Sequence, residues 1–314
     1  MAKTAYIFPG QGSQYAGMGK GAFEGSPAAR AVFEEADRVL GFDLSGLCFS
    51  GSEESLRLTE NTQPAILTVS VAVLRILQER GFAPDFVAGH SLGEYSALVC
   101  AGALTLGDAV KIVRKRGRYM QEAVPPGKGT MAAVLGLTAD QVAECCREAS
   151  ALGVVAPANF NAPEQIVIAG DAAAVQKASE ILRGKGAKRV LPLQVSAPFH
   201  CALMMPAQER LAADLAALEL RDLSMPLICN VDAREVTRGA SAREALVRQV
   251  CGPVRWVESI KRLIELGADR FVEVGPGRVL TGLVKKIEPR ARTFPVDGIT
   301  GIEALASMPA DATM

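Results

Sequence analysis

The sequence is poor in the residues that build metal centres and disulfide frameworks. Its 314 residues include 2 histidines and 7 cysteines, and no two cysteines have CxxC spacing. Zinc sites, redox dithiols and disulfide scaffolds need paired or regularly spaced ligands. We therefore expect reduced, mostly buried thiols and no metal site.

An excess of charge of either sign is also missing. The 34 lysines and arginines balance the 34 aspartates and glutamates, so the formal net charge is +0. Proteins that bind nucleic acid or anionic membranes usually carry a basic excess. We therefore expect neither of these partners.

Long hydrophobic runs are absent as well. No apolar stretch approaches the roughly 20 residues that a membrane-spanning helix needs. The apolar segment 4–8 has neither the basic flank nor the length of a secretion signal. We expect a cytoplasmic protein, and its 49% hydrophobic residues are enough for a large globular core.

A possible nucleophile is present in Gly89-His90-Ser91-Leu92-Gly93, which has the GxSxG pattern. In this pattern the serine sits on a tight turn between a strand and a helix, and small flanking residues let the two elements approach. The sequence predicts a buried strand at 86–88 and a helix at 92–100. The short pattern also arises by chance, so its strand-turn-helix setting is what favours a nucleophile.

A serine nucleophile needs a base, and the chain offers His90 and His200. Adjacent side chains on a tight turn point in different directions, so His90 is poorly placed to reach Ser91. His200 follows Pro198-Phe199 at a predicted loop-to-helix junction, where its side chain could face a cleft. We interpret His200 as the base and His90 as structural support; an ordinary surface histidine is the alternative for His200.

Arg116 lies in an unusual place on the helix predicted from 106 to 122. At about 100° per residue it falls within an apolar stripe. That stripe contains Ala109, Ile112, Val113, Tyr119 and Met120. A buried guanidinium must find an anion, either in a structural salt bridge or in a substrate carboxylate gripped by its planar fork. The residue pattern leaves both open.

Gln249 lies on the buried face of a helix predicted at 241–250. A buried amide needs a hydrogen-bond partner. Gln249 could therefore orient a histidine or cap a neighbouring loop.

The loop Gly10-Gln11-Gly12 follows the opening strand, predicted at 4–8. The dinucleotide-binding fingerprint fails at its third glycine, where Tyr15 stands. Backbone N–H groups beside another strand end suit an oxyanion hole better.

Strands and helices alternate over most of the chain, which favours an α/β sheet. Between residues 130 and 195 the predicted order becomes β-α-β-β-α-β, that of a ferredoxin-like unit. We predict a discontinuous α/β domain, 1–124 and 197–314, with an inserted ferredoxin-like domain at 125–196. Other predictions are helices at 64–80 and 201–218, a strand at 188–195 and a loose tail over the last dozen residues.

Several motifs follow one another along nearly the whole chain. They are Phe8-Pro9-Gly10-Gln11-Gly12-Ser13-Gln14, Gly89-His90-Ser91-Leu92-Gly93-Glu94, Arg116-Gly117, Asn159-Phe160-Asn161, Pro198-Phe199-His200, Val247-Arg248-Gln249 and Glu273-Val274-Gly275-Pro276-Gly277. Together they closely resemble malonyl-CoA:acyl carrier protein transacylases of type II fatty acid synthesis. The resemblance implies an α/β-hydrolase-like large domain with a ferredoxin-like insert.

The resemblance also implies roles for individual residues. Ser91 would be the nucleophile and His200 its base, with Gln249 orienting His200 in place of the usual triad acid. The backbone N–H groups of Gln11 and Leu92 would form the oxyanion hole. The substrate-binding residues would be Arg116 for the malonyl carboxylate, together with Phe199, Met120 and Asn159. Malonyl-CoA and acyl carrier protein would be the substrates, with no cofactor.

Other functions remain open at this point. They are a malonyl transferase of polyketide synthesis, a serine thioesterase or other hydrolase, and a noncatalytic carrier-docking protein. Acyl carrier proteins are acidic, so a basic rim should steer them. The candidates for that rim are Arg183, Lys185, Lys188, Arg189, Lys285 and Lys286. The oligomeric state is left open, with a monomer as one option.

Overall fold

The computed structural model describes residues 3–307. Its strands are β1 (Lys3–Phe8), β2 (Phe86–Gly89), β3 (Gly129–Leu135), β4 (Val155–Ala162), β5 (Gln165–Asp171), β6 (Arg189–Pro192), β7 (Leu227–Ile228), β8 (Glu235–Val236), β9 (Ala268–Val274) and β10 (Arg292–Val296). Its helices are α1 (Lys20–Gly25), α2 (Pro27–Leu40), α3 (Leu44–Ser50), α4 (Glu53–Arg57), α5 (Thr59–Glu79), α6 (Gly93–Cys100), α7 (Leu106–Glu122), α8 (Ala139–Ala149), α9 (Ala172–Gly184), α10 (Met205–Ala216), α11 (Gly239–Gln249), α12 (Trp256–Glu265), α13 (Val279–Ile287) and α14 (Ile299–Ala306).

The larger sheet has the strand order β10-β9-β1-β2-β7-β8. Its strands are parallel except for β8, which pairs with β7 in the antiparallel sense. In the centre, Phe8 at the end of β1 pairs with Gly89 at the end of β2. The loops that follow these strands therefore meet at the carboxyl edge of the sheet, where α/β folds commonly bind ligands.

The smaller sheet is antiparallel, with the order β4-β5-β3-β6. Helices α8 and α9 share a separate apolar core with it. Four strands and two helices in this arrangement form a ferredoxin-like unit. The predicted fold class, a parallel α/β sheet with an inserted antiparallel unit, is confirmed; the domain boundaries stay a prediction.

Helix α5 begins earlier than the sequence predicts, at Thr59 instead of Pro64. The prediction placed the proline in the first turn, where its missing N–H costs nothing. The first turn instead forms ahead of Pro64, with the N–H of Thr62 bonded to the carbonyl of Leu58. The surrounding core, which buries α5 on nearly all sides, holds the helix through the proline.

Three other predicted boundaries shift. Strand β6 ends at Pro192, so the predicted strand 188–195 is too long, and the chain then leaves the sheet toward the site described below. The predicted helix 201–218 begins with the 3₁₀ turn Ala202–Met204 before α10 starts. Helix α14 includes the first residues of the predicted loose tail, and residues 308–314 lie outside the described part. Among the described helices, none has the length and hydropathy needed to cross a bilayer.

Candidate active site

Ser91 lies on a sharp turn between β2 and α6, with its backbone in the left-handed region at φ 52°. The flanking glycines are required by close contact. A Cβ on Gly89 would lie 1.9 Å from the carbonyl carbon of Gly93, and one on Gly93 would lie 2.0 Å from the Phe8 oxygen. The GxSxG segment is thus the strand-turn-helix elbow that its pattern predicts.

His200 faces Ser91, with 2.8 Å between Nε2 and the serine Oγ. Its Nδ1 lies 2.9 Å from the backbone oxygen of Gln249. A carbonyl only accepts hydrogen bonds, so Nδ1 carries the proton and Nε2 is left to accept the proton of the Ser91 hydroxyl. This is the geometry of a serine nucleophile with its base.

Gln249 lies next to His200, and the group that bonds the imidazole is its backbone carbonyl. Its side chain forms no hydrogen bond to the imidazole within residues 3–307. That Gln249 orients His200 stays a prediction. The carbonyl is available because α11 ends at Gln249, and carbonyls in a last helical turn have no intrahelical donor. The side-chain Oε1 instead accepts a bond from Arg116 at 2.9 Å, and Nε2 donates to Glu94 Oε2 at 2.9 Å.

Arg116 is 1% exposed and points into the same site. Its Nη1 donates to Gln63 Oε1 at 2.8 Å, and its Nη2 donates to Ser91 Oγ at 3.2 Å. No carboxylate within residues 3–307 forms an ion pair with it, and its Nε has no partner there. The structural salt bridge that the sequence left open is therefore absent from the described part. The hydrogen-bond partners of its Nη1 and Nη2 within residues 3–307 are neutral, and the buried carboxyl of Glu94 acts on it from a distance and through Gln249. A buried cation without a direct ion pair suits an anionic ligand.

These residues surround a cavity of about 100 Å³. Its wall includes Gln11, Ser91, Leu92, Arg116, Met120, Asn159, Phe199 and His200, each of which the sequence analysis names as a site residue. Gln249 lies behind the wall. A small cavity of this kind suits a short acyl group.

The predicted oxyanion donors lie on this wall. The backbone N–H groups of Gln11 and Leu92 have no hydrogen-bond partner in the described part of the chain. The side chain of Gln11 is anchored, with Nε2 bonded to Thr59 Oγ1 at 3.3 Å. Free donors beside the nucleophile are what an oxyanion hole needs.

Comparison with known proteins agrees with this geometry. Residues 5–301 match the acyl transferase domain family.

The chain belongs to the acyl transferase family.

Its relatives include the malonyl CoA-acyl carrier protein transacylase of Bacillus subtilis (strain 168), 51% identical over 304 residues that cover 96% of each chain. The protein of the same name from Escherichia coli (strain K12) is 49% identical over 288 residues, covering 91% of this chain and 93% of that one. The resemblance predicted from the motifs is confirmed.

Solved structures give the same result. An acyl carrier protein S-malonyltransferase from Vibrio cholerae superposes with a TM-score of 0.95 at 45% identity, covering 97% of this chain and 100% of that one. A malonyl-transacylase in complex with its type II polyketide synthase acyl carrier protein superposes with a TM-score of 0.94 at 45% identity. That match covers 96% of this chain and 98% of the other.

Burial shifts the pKa values of two titratable groups in this acyl transferase site. Desolvation, together with the positive charge of Arg116, lowers the pKa of His200 to about 3. Burial raises the pKa of Glu94 to about 7. The imidazole is therefore neutral at ordinary pH, as a base must be before it accepts a proton.

Sequence reasoning missed several residues of the cavity wall, namely Gln63, Met131, Leu193 and Val195. Gln63 follows the polar residues 59–62 and lies one residue before the predicted start of the helix, so it has no signal of its own. The segment after β6 carries no signal either. His90, predicted as support, bonds Asn161 Oδ1 through Nε2 at 2.8 Å and packs against Trp256. It is also one of the residues that line the cavity.

Proposed function

We propose that this acyl transferase moves a malonyl group from malonyl-CoA to the phosphopantetheine thiol of acyl carrier protein. The observation that carries the proposal is Arg116, a buried cation with no ion-pair partner in the described residues, 3.2 Å from Ser91 Oγ. The relatives named malonyl CoA-acyl carrier protein transacylase support both substrates. The reaction needs no cofactor, because a thioester is already activated for acyl transfer.

The first half-reaction loads Ser91. His200 Nε2 takes the proton of the hydroxyl while Oγ attacks the thioester carbonyl. The N–H groups of Gln11 and Leu92 hold the oxyanion. The C–S bond then breaks, and the CoA sulfur leaves with the proton from His200, so a malonyl-serine ester remains.

The second half-reaction runs the same chemistry in the other direction. His200 accepts the proton of the carrier thiol, whose sulfur attacks the ester carbonyl. The bond to Ser91 Oγ breaks, and the serine regains a proton from His200. Two half-reactions through one site predict ping-pong kinetics.

Arg116 gives the acyl selectivity. A malonyl carboxylate pairs with its guanidinium, whereas acetyl leaves that charge unpaired, a difference of about 1.5–3 kcal/mol for a charged hydrogen bond. The carboxylate also offsets the positive charge that lowers the pKa of His200. The correct substrate therefore makes the base stronger.

The carrier would dock at the basic rim. The candidate cations of this rim can be ranked by whether another group of the chain already binds their charge. Lys185 and Lys188 pair with Glu148 and Glu164, and Lys286 donates to Gln165 Oε1. Arg183 and Lys285 donate to backbone carbonyls, those of Val190 and Ala291. Arg189 is exposed and has no ion-pair partner within residues 3–307. It begins β6, the strand that leads to Leu193 and Val195 on the cavity wall. Arg189 is thus the best-placed cation for an acidic carrier.

We further propose that the reaction takes place in the cytoplasm and supplies fatty acid chain elongation. The 7 cysteines are all free, as expected where thiols are kept reduced. Polyketide synthesis is the second candidate, favoured by the likeness to a transacylase in complex with a type II polyketide synthase carrier. Steady-state rates with a fatty acid carrier and a polyketide carrier under matched conditions would rank the two.

Acyl-enzyme trapping tests the function. The protein is quenched within milliseconds of mixing with malonyl-CoA, acetyl-CoA or methylmalonyl-CoA, and the peptide containing Ser91 is analysed by mass spectrometry. We expect a malonyl adduct that Ser91→Ala abolishes and that carrier protein discharges. Sustained CoA release from malonyl-CoA without carrier would instead identify a hydrolase, and the absence of any adduct would favour a noncatalytic docking protein.

A further inference from the structure

We propose that Asn230 is a positioning residue for the nucleophile, because its side-chain amide clamps the elbow that carries Ser91. The proposal rests on the function proposed above and deepens it. Neither the sequence motifs nor the site residues predicted from them include Asn230. It follows β7, the neighbour of β2, so the sheet itself brings it to the elbow.

The amide spans the turn. Asn230 Oδ1 accepts the backbone N–H of Ser91 at 2.7 Å, and Nδ2 donates to the carbonyl of Gly89 at 2.6 Å. One planar group thus bonds the last residue of the strand and the nucleophile itself. The side chain is fully buried, so water does not compete for these bonds.

The elbow needs such a clamp because Ser91 has a positive φ, which costs a non-glycine residue energy. A strained backbone persists only when its surroundings determine it. Asn230 Oδ1 accepts a hydrogen bond from the Ser91 N–H, and Gln249 Nε2 donates to the Ser91 carbonyl at 3.0 Å. Side chains from two other segments therefore hold both backbone polar groups of the nucleophile.

Glu94 anchors the clamp. Its Oε2 accepts the backbone N–H of Asn230 and the side-chain N–H of Gln249, each at 2.9 Å. The carbonyl of Asn230 is held as well, by the N–H of Arg255 at 3.0 Å. With both ends of Asn230 fixed, the amide cannot rotate away without breaking several buried bonds. Ser91 Oγ is thereby held between His200 and Arg116.

Two variants of similar size test this. Asn230→Leu removes both amide bonds. Asn230→Asp keeps an acceptor for Ser91 N–H but loses the donor to Gly89 unless the new carboxyl is protonated. Ser179→Ala, which removes a buried hydroxyl bonded to Val175 in α9, is the control for a general loss of stability.

The measurements are the rate of the first acylation by malonyl-CoA, the KM for malonyl-CoA and the rate of Ser91 labelling by a fluorophosphonate, each per folded molecule. For Asn230→Leu we expect both rates to fall on the order of 100-fold, as for a misplaced reacting atom, with KM within about twofold. For Asn230→Asp we expect rates that recover as the pH is lowered, because a protonated carboxyl again donates to Gly89. Ser179→Ala should keep wild-type rates.

Rates within about threefold of wild type for folded Asn230→Leu would overturn the proposal. If Asn230→Leu does not fold, Asn230→Asp provides the test. Wild-type acylation and labelling rates with a wild-type pH profile in Asn230→Asp would also overturn the proposal. A failure of the proposed function can be distinguished from a failure of this proposal. If the wild-type protein formed no malonyl adduct, the proposed function would be wrong. Fluorophosphonate labelling of Ser91 in the Asn230 variants would still test whether Asn230 positions the serine.

Discussion

Arg116 Nη2 donates a hydrogen bond to Ser91 Oγ across 3.2 Å, so the proposed carboxylate-binding cation and the proposed nucleophile are in direct contact. Helix α7 presents the arginine and the elbow presents the serine. A malonyl group attached to Ser91 would carry its carboxylate back toward the guanidinium. On the proposed function, this short distance would couple the choice of acyl group to the chemical step.

Replacing Arg116 should change selectivity more than it changes chemistry. Arg116→Ala should lower kcat/KM for malonyl-CoA about 10- to 150-fold, the equivalent of about 1.5–3 kcal/mol, while acetyl-CoA is affected less. Arg116→Lys keeps the charge without the planar fork, so its kcat/KM for malonyl-CoA should lie between those of wild type and Arg116→Ala. Steady-state kinetics with both thioesters check this; equal losses for the two would contradict a carboxylate-binding role.

His200 should make the protein less stable in acid. Its pKa is about 3 in the folded state and 6.5 as the reference value, so the unfolded chain binds the extra proton between these values. Its contribution to stability is present above about pH 6.5 and is lost as the pH falls toward 3. Urea unfolding at stepped pH should show a smaller loss of unfolding free energy in acid for His200→Gln than for wild type. An equal pH dependence in the two proteins would contradict a lowered pKa for His200.

Glu94 should make the protein less stable as the pH rises, the opposite of the pH dependence expected from His200. Burial raises its pKa from 4.5 to about 7, so the folded state binds the extra proton. The stability it contributes is present below about pH 4.5 and is lost as the pH rises through 7. Glu94→Gln, which cannot ionise, should flatten the decline in unfolding free energy between pH 5 and 8. A decline as steep as that of wild type would show that Glu94 does not titrate in this range.

Phe199 should limit the size of the acyl group. It is 7% exposed and lies on the cavity wall directly before His200. Phe199→Ala should enlarge the cavity and raise the ratio of kcat/KM for methylmalonyl-CoA to that for malonyl-CoA. Leu152→Ala, at an exposed position in the small unit, is the control and should leave the ratio unchanged. An unchanged ratio in Phe199→Ala would place the size limit elsewhere.

Gly93 should tolerate no side chain. A Cβ there would lie 2.0 Å from the Phe8 oxygen, so Gly93→Ala should cost about 1–3 kcal/mol of unfolding free energy or more. Gly184→Ala, at the end of α9 with open space around its Cβ, should be neutral or stabilising. Denaturant unfolding compares the two; equal stabilities would contradict the close approach at the elbow.

The sequence by itself determined the elbow, the histidine that faces Ser91 and the buried arginine. Glycine spacing located Ser91, scarcity singled out His200, and 100° helical arithmetic put Arg116 on an apolar face. These are local properties, since periodicity and glycine geometry act over a few residues. The β-α-β-β-α-β order was readable for the same reason.

Only the tertiary structure decided how these residues are held. Gln249 bonds His200 Nδ1 through its backbone carbonyl, and every residue has one, so no side-chain pattern could reveal this bond. Leu193 and Val195 line the cavity because β6 ends early. Asn230 reaches the elbow because β7 pairs with β2 across a long stretch of chain. Contacts of this kind depend on sheet order, which short-range sequence patterns do not encode.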